Sequence, residues 1–417
     1  MATKNLDIMI EELDGSVWVA ALNQGKLQGL EVDPYAEEVR WGSIYWAKVA
    51  RIDKAMDAAF VNLDGENIGL LHNADVRIKN KDGTYKKGGD VEIGKLIQPG
   101  EMVAVQAKSG YLPKPDPDQK GYQEDKNPRV SMNITLPGRY IIHSPMEVEN
   151  RISARIRDKK MRAQLMEMLD GMADQKGCIL RAAASHTQTD VLVREGKILQ
   201  EIWSQLQAFF KDDKPSLIML GPDAVQRTLS DHAFDLIDRI EVTTMDHYQE
   251  TEEWCELYAP DLVTKIAPVE LPDPPTDLGL FDFRDIVGQI EDLFQPYAIM
   301  NSGSVIIIQE TASLIAVDVN RGADERSALE INMEAAEEIA RQMRLRNLGG
   351  AFMIDFLKMK KADQNKLHEA LEGFFVNNDP CTVQISGMTK LGFMELARHR
   401  RTPPLQDRFE SAVSLGE

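Results

Sequence analysis

With 417 residues, 43% apolar content and a formal charge of −19, the chain is long enough for roughly two to four compact units of about 150 residues each. The acidic surplus excludes a general nucleic-acid coat, because phosphate binding draws on Lys and Arg, so any nucleic-acid site must be a local basic patch. No run approaches the roughly 18 apolar residues of a membrane span, and the N-terminal MATKNLDIMIEELDG carries acids where a leader needs an apolar block, so a cytoplasmic protein without a membrane partner is expected.

The first segment, LDIMIEELDGSVWVAALNQGKLQGLEV, alternates apolar and polar residues around Asp14–Gly15 and Gln24–Gly25, which predicts a small antiparallel hairpin set, too small to stand alone. From about residue 38, SIYWAKVARID, AAFVNLDG, IGLLHNADV, GEMVAVQAK and NPRVSMNITL read as five short strands separated by turns. That pattern predicts a small closed barrel of the oligonucleotide-binding kind. Between the fourth and fifth strands, SGYLPKPDPDQKGYQEDKNP reads as a surface loop.

Residues 146–211 predict a separate α/β module: a charged helix within ENRISARIRDKKMRAQLMEMLDGM, a strand GCILRAAA and an amphipathic helix around TDVLVREGKILQEIWSQLQAFF. Next come a strand PSLIMLG, a helix near AVQRTLSDHAFDLI and a proline-punctuated linker APVELPDPPTDLG. Over 279–400 a helix DFRDIVGQIEDLF, strands SVIIIQE and SLIAVDVN, a long helix, a strand AFMIDFLKM, a helix and a strand CTVQIS predict an α/β layer arrangement. Cys178, Cys255 and Cys381 are far apart and outside any CxxC, so they read as ordinary reduced residues rather than disulfides or zinc ligands.

The long helix is bounded by a capping box, Ser327 with Glu330, and by a stop at Asn347 through Gly350. It joins two strands that each set one aspartate, Asp318 or Asp355, inside an apolar run. An unpaired carboxylate buried there would lose hydration, so something must compensate it. Alternation puts Asp318 with Asn320 on one face, and Met353, Asp355 and Leu357 on one face of the next strand. If the strands are neighbours the carboxylates converge, and a pair of them suits an oxygen-preferring cation such as Mg²⁺. An ion pair to Arg or Lys, or a turn cap, explains either aspartate taken singly.

Taken together, the five barrel strands, IAVDVN, EAAEEIARQMRLRNLGGAFMIDFLKM and ISGMTKLGFMELARHRR resemble the RNase E/G family of bacterial endoribonucleases. The likeness runs from about residue 38 to Leu405 and is strongest over 304–400. It implies an α/β multi-domain fold in which an RNase-H-like scaffold (1–37 and 215–278) carries an inserted S1-type barrel (38–131) and a 5′-sensor-like module (132–214), followed by a DNase-I-like catalytic subdomain (279–400) and a tail (401–417). It also implies an Mg²⁺-dependent endoribonuclease acting on single-stranded RNA in processing or turnover and leaving 5′-phosphate products. By motif the metal ligands fall on Asp318 and Asp355, supported by Asn320.

The same resemblance places RNA contacts at Phe60 and Lys126 and a 5′-monophosphate pocket at Gly138, Arg181 and Lys390. Three positions depart from the family's pattern. Leu70 stands where a second aromatic is usual, Ala182 follows Arg181 in place of a threonine, and Lys390 replaces an arginine. A missing hydroxyl donor, and a point charge in place of a bidentate fork, predict weak discrimination of the RNA 5′ end. The family's CPxCxG zinc-sharing motif is not found in the sequence, so a zinc-linked dimer is not expected, leaving a monomer or a dimer through other surfaces. The alternatives are a catalytically silent RNA-binding protein of the same fold and a nuclease for another substrate; the intact Asp318, Asn320 and Asp355 favour the ribonuclease.

Overall fold

A computed structural model describes residues 4–13, 15–34, 37–112, 127–269 and 279–413, without the side chains of 377, 378 and 410–413. The chain forms two compact units, one from Met1–Val32, Ile237–Tyr248 and Ala267–Glu417, the other from Asp33–Leu236 and Gln249–Ile266. The architecture is mixed α/β with a closed five-stranded barrel.

In the first unit the N-terminal strands Asn5–Leu13, Ser16–Asn23 and Lys26–Asp33 form the expected meander, with Ile8 opposite Ala21 and Ile10 opposite Val19. The second turn uses Gln24 and Gly25 at φ of 51° and 78°, the left-handed pair that matches the twist of a tight hairpin. Leu236–Val242 and Ile266–Pro268 extend this sheet to five strands. The helix expected near 224–237 is therefore shorter: it ends at Asp231, and the rest of the apolar run enters the sheet.

The sheet's core side, including Met9, Trp18 and Leu22, packs on Leu280, Phe281 and Ile286. There the helix expected over DFRDIVGQIEDLF is broken into Leu280–Phe283 and Val287–Glu291. Asp285 adopts φ 56°, and the Ile286 amide turns back to the Phe281 carbonyl at 2.7 Å. Asp tolerates this left-handed conformation better than most side chains. Glu11, buried in the first strand, accepts the Leu280 and Phe281 amides at 2.7 and 2.8 Å and so caps the first fragment.

The second sheet of this unit runs Tyr297–Ile299, Val305–Glu310, Ile315–Asn320, Gly350–Asp355, Met394–His399, Thr382–Met388. Ile315–Asn320 and Gly350–Asp355 are parallel and are joined by the helix Ala328–Leu345. The capping box of Ser327 and Glu330 is formed, and the helix stops where Asn347 takes φ 49°. Val317, Val319, Phe352 and Ile354 pack against Ile331, Ala335 and Ile339 of that helix and Leu367 and Leu371 of Lys361–Asn378. Both helices thus cover one face of the sheet. The predicted strand CTVQIS forms the edge strand Thr382–Met388, whereas Met394–His399, which lies between it and Gly350–Asp355, was not anticipated.

In the second unit, Ile44–Asp53, Ala58–Asn62, Ile68–His72, Arg129–Ser131 and Met102–Ala107 close into a barrel, because the first strand pairs with both the second and the last. Val49, Ala59, Val61, Leu71, Val105 and Val130 fill it. Two features went unforeseen: Ser216–Met219 adds to the edge of the first barrel strand, and Arg77–Lys79 pairs with Tyr85–Lys87. Most of the predicted loop over 109–128 lies outside the described residues, as does most of the linker 267–279.

The α/β module appears as a sheet in the order Leu136–Pro137, Ile141–His143, Cys178–Leu180, Arg151–Ile152, packed with the helices Lys159–Asp170 and Thr189–Gln207. All three cysteines are free and buried. Among the described residues no helix is long and apolar enough to cross a membrane.

Candidate active site

Parallel pairing sets Asp318 directly opposite Asp355. Their neighbours Val317, Val319 and Ile354 point into the helix-covered core, so both carboxylates and Asn320 project from the other face, where all three are exposed. The expected loss of carboxylate hydration therefore does not arise. The physical problem is instead repulsion: adjacent strands lie about 4.8 Å apart, and like charges directly opposite one another destabilise the pair. Neither aspartate forms an ion pair with a described residue, so an ion pair to Arg or Lys does not account for their placement. Asn320 Nδ2 donates to Asp318 Oδ2 at 2.8 Å and fixes that carboxylate's orientation.

Two polar clusters hold the strand ends. Past Asn320, the Asp324 carboxylate accepts from Ser304 Oγ at 3.0 Å and from the Arg326 guanidinium, and Arg321 donates to the Asp324 and Arg326 carbonyls at 3.0 and 2.6 Å. Hydrogen bonds from Arg326 keep the Asp324 carboxyl well below the usual carboxylate range. Past Asp355, the fully buried Asn332 side chain clasps Leu357, donating to its carbonyl at 2.8 Å and accepting its amide at 3.0 Å.

This clasp changes one expectation. The strand ends at Asp355, and Leu357 packs on the core instead of sharing the Asp355 face. Sequence reading missed Asn332, although a polar residue on the apolar stripe shared by Ile331, Ala335 and Ile339 was a usable signal. Among the described residues no three carboxylate, imidazole or thiolate groups converge as a fuller metal cage. The donors at hand are two opposed carboxylates with an amide beside them. That set fits a hard cation that takes one or two carboxylates and fills its remaining positions with water and phosphate oxygens.

On the barrel, Phe60 lies between the core residues Ala59 and Val61 and outside the core cluster, so it faces outward. The Arg51 guanidinium carbon sits 3.6 Å from its ring centre, and Leu70 is directly opposite. The outer surface therefore presents one aromatic, one aliphatic and one cationic group in a row. Lys126 lies outside the described residues.

In the α/β module Arg181 and Gly138 come together, the Arg181 Nη1 donating to the Gly138 carbonyl at 3.0 Å while Nη2 lies 3.6 Å from Asp231. The Gly138 amide donates to the Ile141 carbonyl at 2.8 Å. Behind this turn, buried Glu195 accepts the Tyr140 amide at 3.1 and 3.2 Å, and burial pushes its carboxyl up to about 7. A Cβ at position 138 would stand 2.0 Å from Glu195 Oε1, so the close approach requires glycine. Lys390 is exposed in the turn between Thr382–Met388 and Met394–His399 and belongs to the other unit.

Residues 135–401 match the model of the Ribonuclease E/G family, and the chain belongs to that family. It is 28% identical over 407 residues to Ribonuclease G of Salmonella typhimurium (strain SL1344), covering 94% of this chain and 80% of the relative. Ribonuclease G of Escherichia coli (strain K12) is 27% identical with the same coverage. Ribonuclease E of Haemophilus influenzae is 29% identical over 402 residues, 93% of this chain but 41% of that longer protein.

Proposed function

We propose that this chain is an endoribonuclease that hydrolyses single-stranded RNA, with Mg²⁺ held between Asp318 and Asp355. The observation that carries the reading is the direct opposition of two exposed aspartates on parallel strands, in a chain belonging to this family. Asp318 and Asp355 supply charge and oxygen donors, and Asn320 holds Asp318 in one orientation. When bound, such a cation screens the phosphate charge and favours attack of water on the phosphodiester, leaving 5′-phosphate products. Both carboxylates are open to solvent, so a phosphate backbone can lie across the face without burying them.

Phe60, with Arg51 above it, offers a base-stacking surface and a local positive charge on an otherwise acidic chain. Lys126 is proposed as a further RNA contact. Gly138 and Arg181 are proposed as remnants of a 5′-end pocket whose preference for a monophosphate Ala182 weakens, and Lys390 is proposed as an RNA contact in its own unit, a point charge in place of a bidentate fork. In this reading 1–37 and 215–278 form an RNase-H-like scaffold, 38–131 an S1-type barrel, 132–214 a sensor-like module, 279–400 a DNase-I-like catalytic subdomain and 401–417 a tail. The setting is RNA processing or turnover in the cytoplasm.

The test is incubation of the purified protein with AU-rich single-stranded RNA carrying a 5′-monophosphate or 5′-triphosphate, in Mg²⁺ or EDTA, with product ends mapped. Internal cutting in Mg²⁺ that leaves 5′-phosphates, with a less than about tenfold preference for the monophosphate, is expected. Cutting undiminished in EDTA would overturn the metal assignment, and a strong monophosphate preference would overturn the weakened-sensor reading.

A further inference from the structure

On the face that carries the two aspartates, strand pairing sets up rows that run across the sheet. Tyr297 is opposite Ile307, Ile307 is opposite Asp318, and Asp318 is opposite Asp355. In the next row Ile299 is opposite Val305 and Val305 is opposite Asn320. Directly paired residues point to the same side of a sheet, so Tyr297 and Ile299 share the face of the carboxylates. On the other side of the same strand Ala298 packs on the core, which accounts for that side only.

Tyr297 is 42% and Ile299 68% exposed, so an aromatic and a β-branched side chain stand together on the open face. Two strand spacings separate Tyr297 from Asp318, roughly 10 Å. A nucleotide whose phosphate lies at the carboxylate pair can set its base, or its neighbour's, over that ring.

We infer that Tyr297, flanked by Ile299, is a base-stacking platform for a nucleotide next to the scissile phosphate, so that the edge strand of the catalytic sheet binds the RNA chain directly. The inference rests on the reading of Asp318 and Asp355 as the cleavage site. The occupant is a nucleobase because the same rows end in groups suited to a phosphate-bound cation: one end of the face is apolar and aromatic, the other acidic. Stacking on a tyrosine face accepts every base, so the platform fixes where the strand lies without selecting a sequence.

The test uses the full chain and a single-stranded RNA of defined cut site, with 5-iodouridine placed in turn at each nucleotide around the cut. Irradiation in EDTA, followed by peptide mapping, is expected to give an adduct at Tyr297 from one or two positions adjacent to the cut. In Mg²⁺, Tyr297→Ala should raise KM by roughly tenfold, the loss of one stacked base, with kcat little changed. Tyr297→Phe should restore the wild-type KM, and an abasic nucleotide at the crosslinking position should erase the difference between wild type and Tyr297→Ala.

Adducts confined to other residues, or an equal KM penalty on the abasic RNA, would overturn the inference. So would Tyr297→Ala altering self-association in sedimentation while leaving RNA binding intact, since the face would then serve a second copy of this chain. Failure of the nuclease reading is separately visible: wild type and Asp318→Asn would cut alike, whatever the crosslink shows.

Discussion

Replacing Asp379 by alanine should destabilise the sheet that carries Asp355 far more than an ordinary surface change. Arg398 Nε and Nη2 reach the two Asp379 oxygens at 2.8 and 3.1 Å, and each side chain is about 1% exposed. Arg398 Nη1 donates to the Leu348 carbonyl at 2.7 Å and to Asn347 Oδ1 at 3.2 Å, at the entry to the Asp355 strand. Asn347 in turn donates to the Thr402 and Pro403 carbonyls. Asp379→Ala leaves a buried guanidinium without its counter-charge, a loss of about 3–5 kcal/mol, against a total stability of roughly 5–15 kcal/mol.

Asp379 also accepts the Cys381 amide at 2.8 Å. The double variant Asp379→Leu, Arg398→Met removes both charges, and what remains is the loss of hydrogen bonds at the Cys381 amide, the Leu348 carbonyl and Asn347 Oδ1, about 1–3 kcal/mol for each buried group left unpaired. Urea unfolding, followed by amide exchange of Gly350–Asp355 and Met394–His399, separates the two variants. A single-variant loss below about 1 kcal/mol would refute the reasoning.

Two further outcomes follow from the second unit. Glu195 is 4% exposed and burial lifts its carboxyl from 4.5 to about 7, so the folded form holds the proton more tightly than the unfolded chain. Its contribution to stability is complete below about pH 4.5 and lost as pH rises through about 7, amounting to about 3 kcal/mol across that window at about 1.4 kcal/mol per pH unit. Glu195→Gln should therefore gain on wild type between those limits in urea midpoints; a constant difference would reject the assignment. Phe60→Ala should weaken binding of an unstructured RNA by roughly 5- to 150-fold at fixed salt, as read by fluorescence anisotropy, and Leu70→Phe should strengthen it. Unchanged affinity in Phe60→Ala would remove the barrel's outer row from the RNA path.

The features legible in the sequence are those written locally. The capping box at Ser327 and the stop at Asn347 bounded the long helix, and period-two alternation gave the faces of Asp318, Asn320 and Asp355. The barrel strands were legible because each is a short apolar alternation between turns. Other features depend on partners distant in the chain. Leu236 and Ile237, the start of the strand Leu236–Val242, read as the end of a helix until the N-terminal strand is there to pair with them. Glu11 caps residues nearly 270 positions away, and the break at Asp285 is set by tertiary packing around Phe281 and Ile286.

For the site itself, strand spacing supplied the opposition of the carboxylates but not their exposure. Apolar neighbours were read as burial, whereas Val317 and Val319 are buried on the face that Asp318 does not share. The clasp of Asn332 on Leu357 was invisible because it joins a helix to a strand end through side-chain geometry alone.

The most direct test of the account compares wild type with Asp318→Asn and Asp355→Asn on a 5′-monophosphorylated, AU-rich single-stranded RNA in Mg²⁺. Circular dichroism and RNA anisotropy are measured alongside to show folded protein that still binds RNA. Loss of cleavage by at least about a hundredfold in both variants, with folding and binding retained, is the predicted result, on the scale of removing one group that stabilises transition-state charge. Equal cutting by all three proteins would contradict the assignment of the aspartate pair.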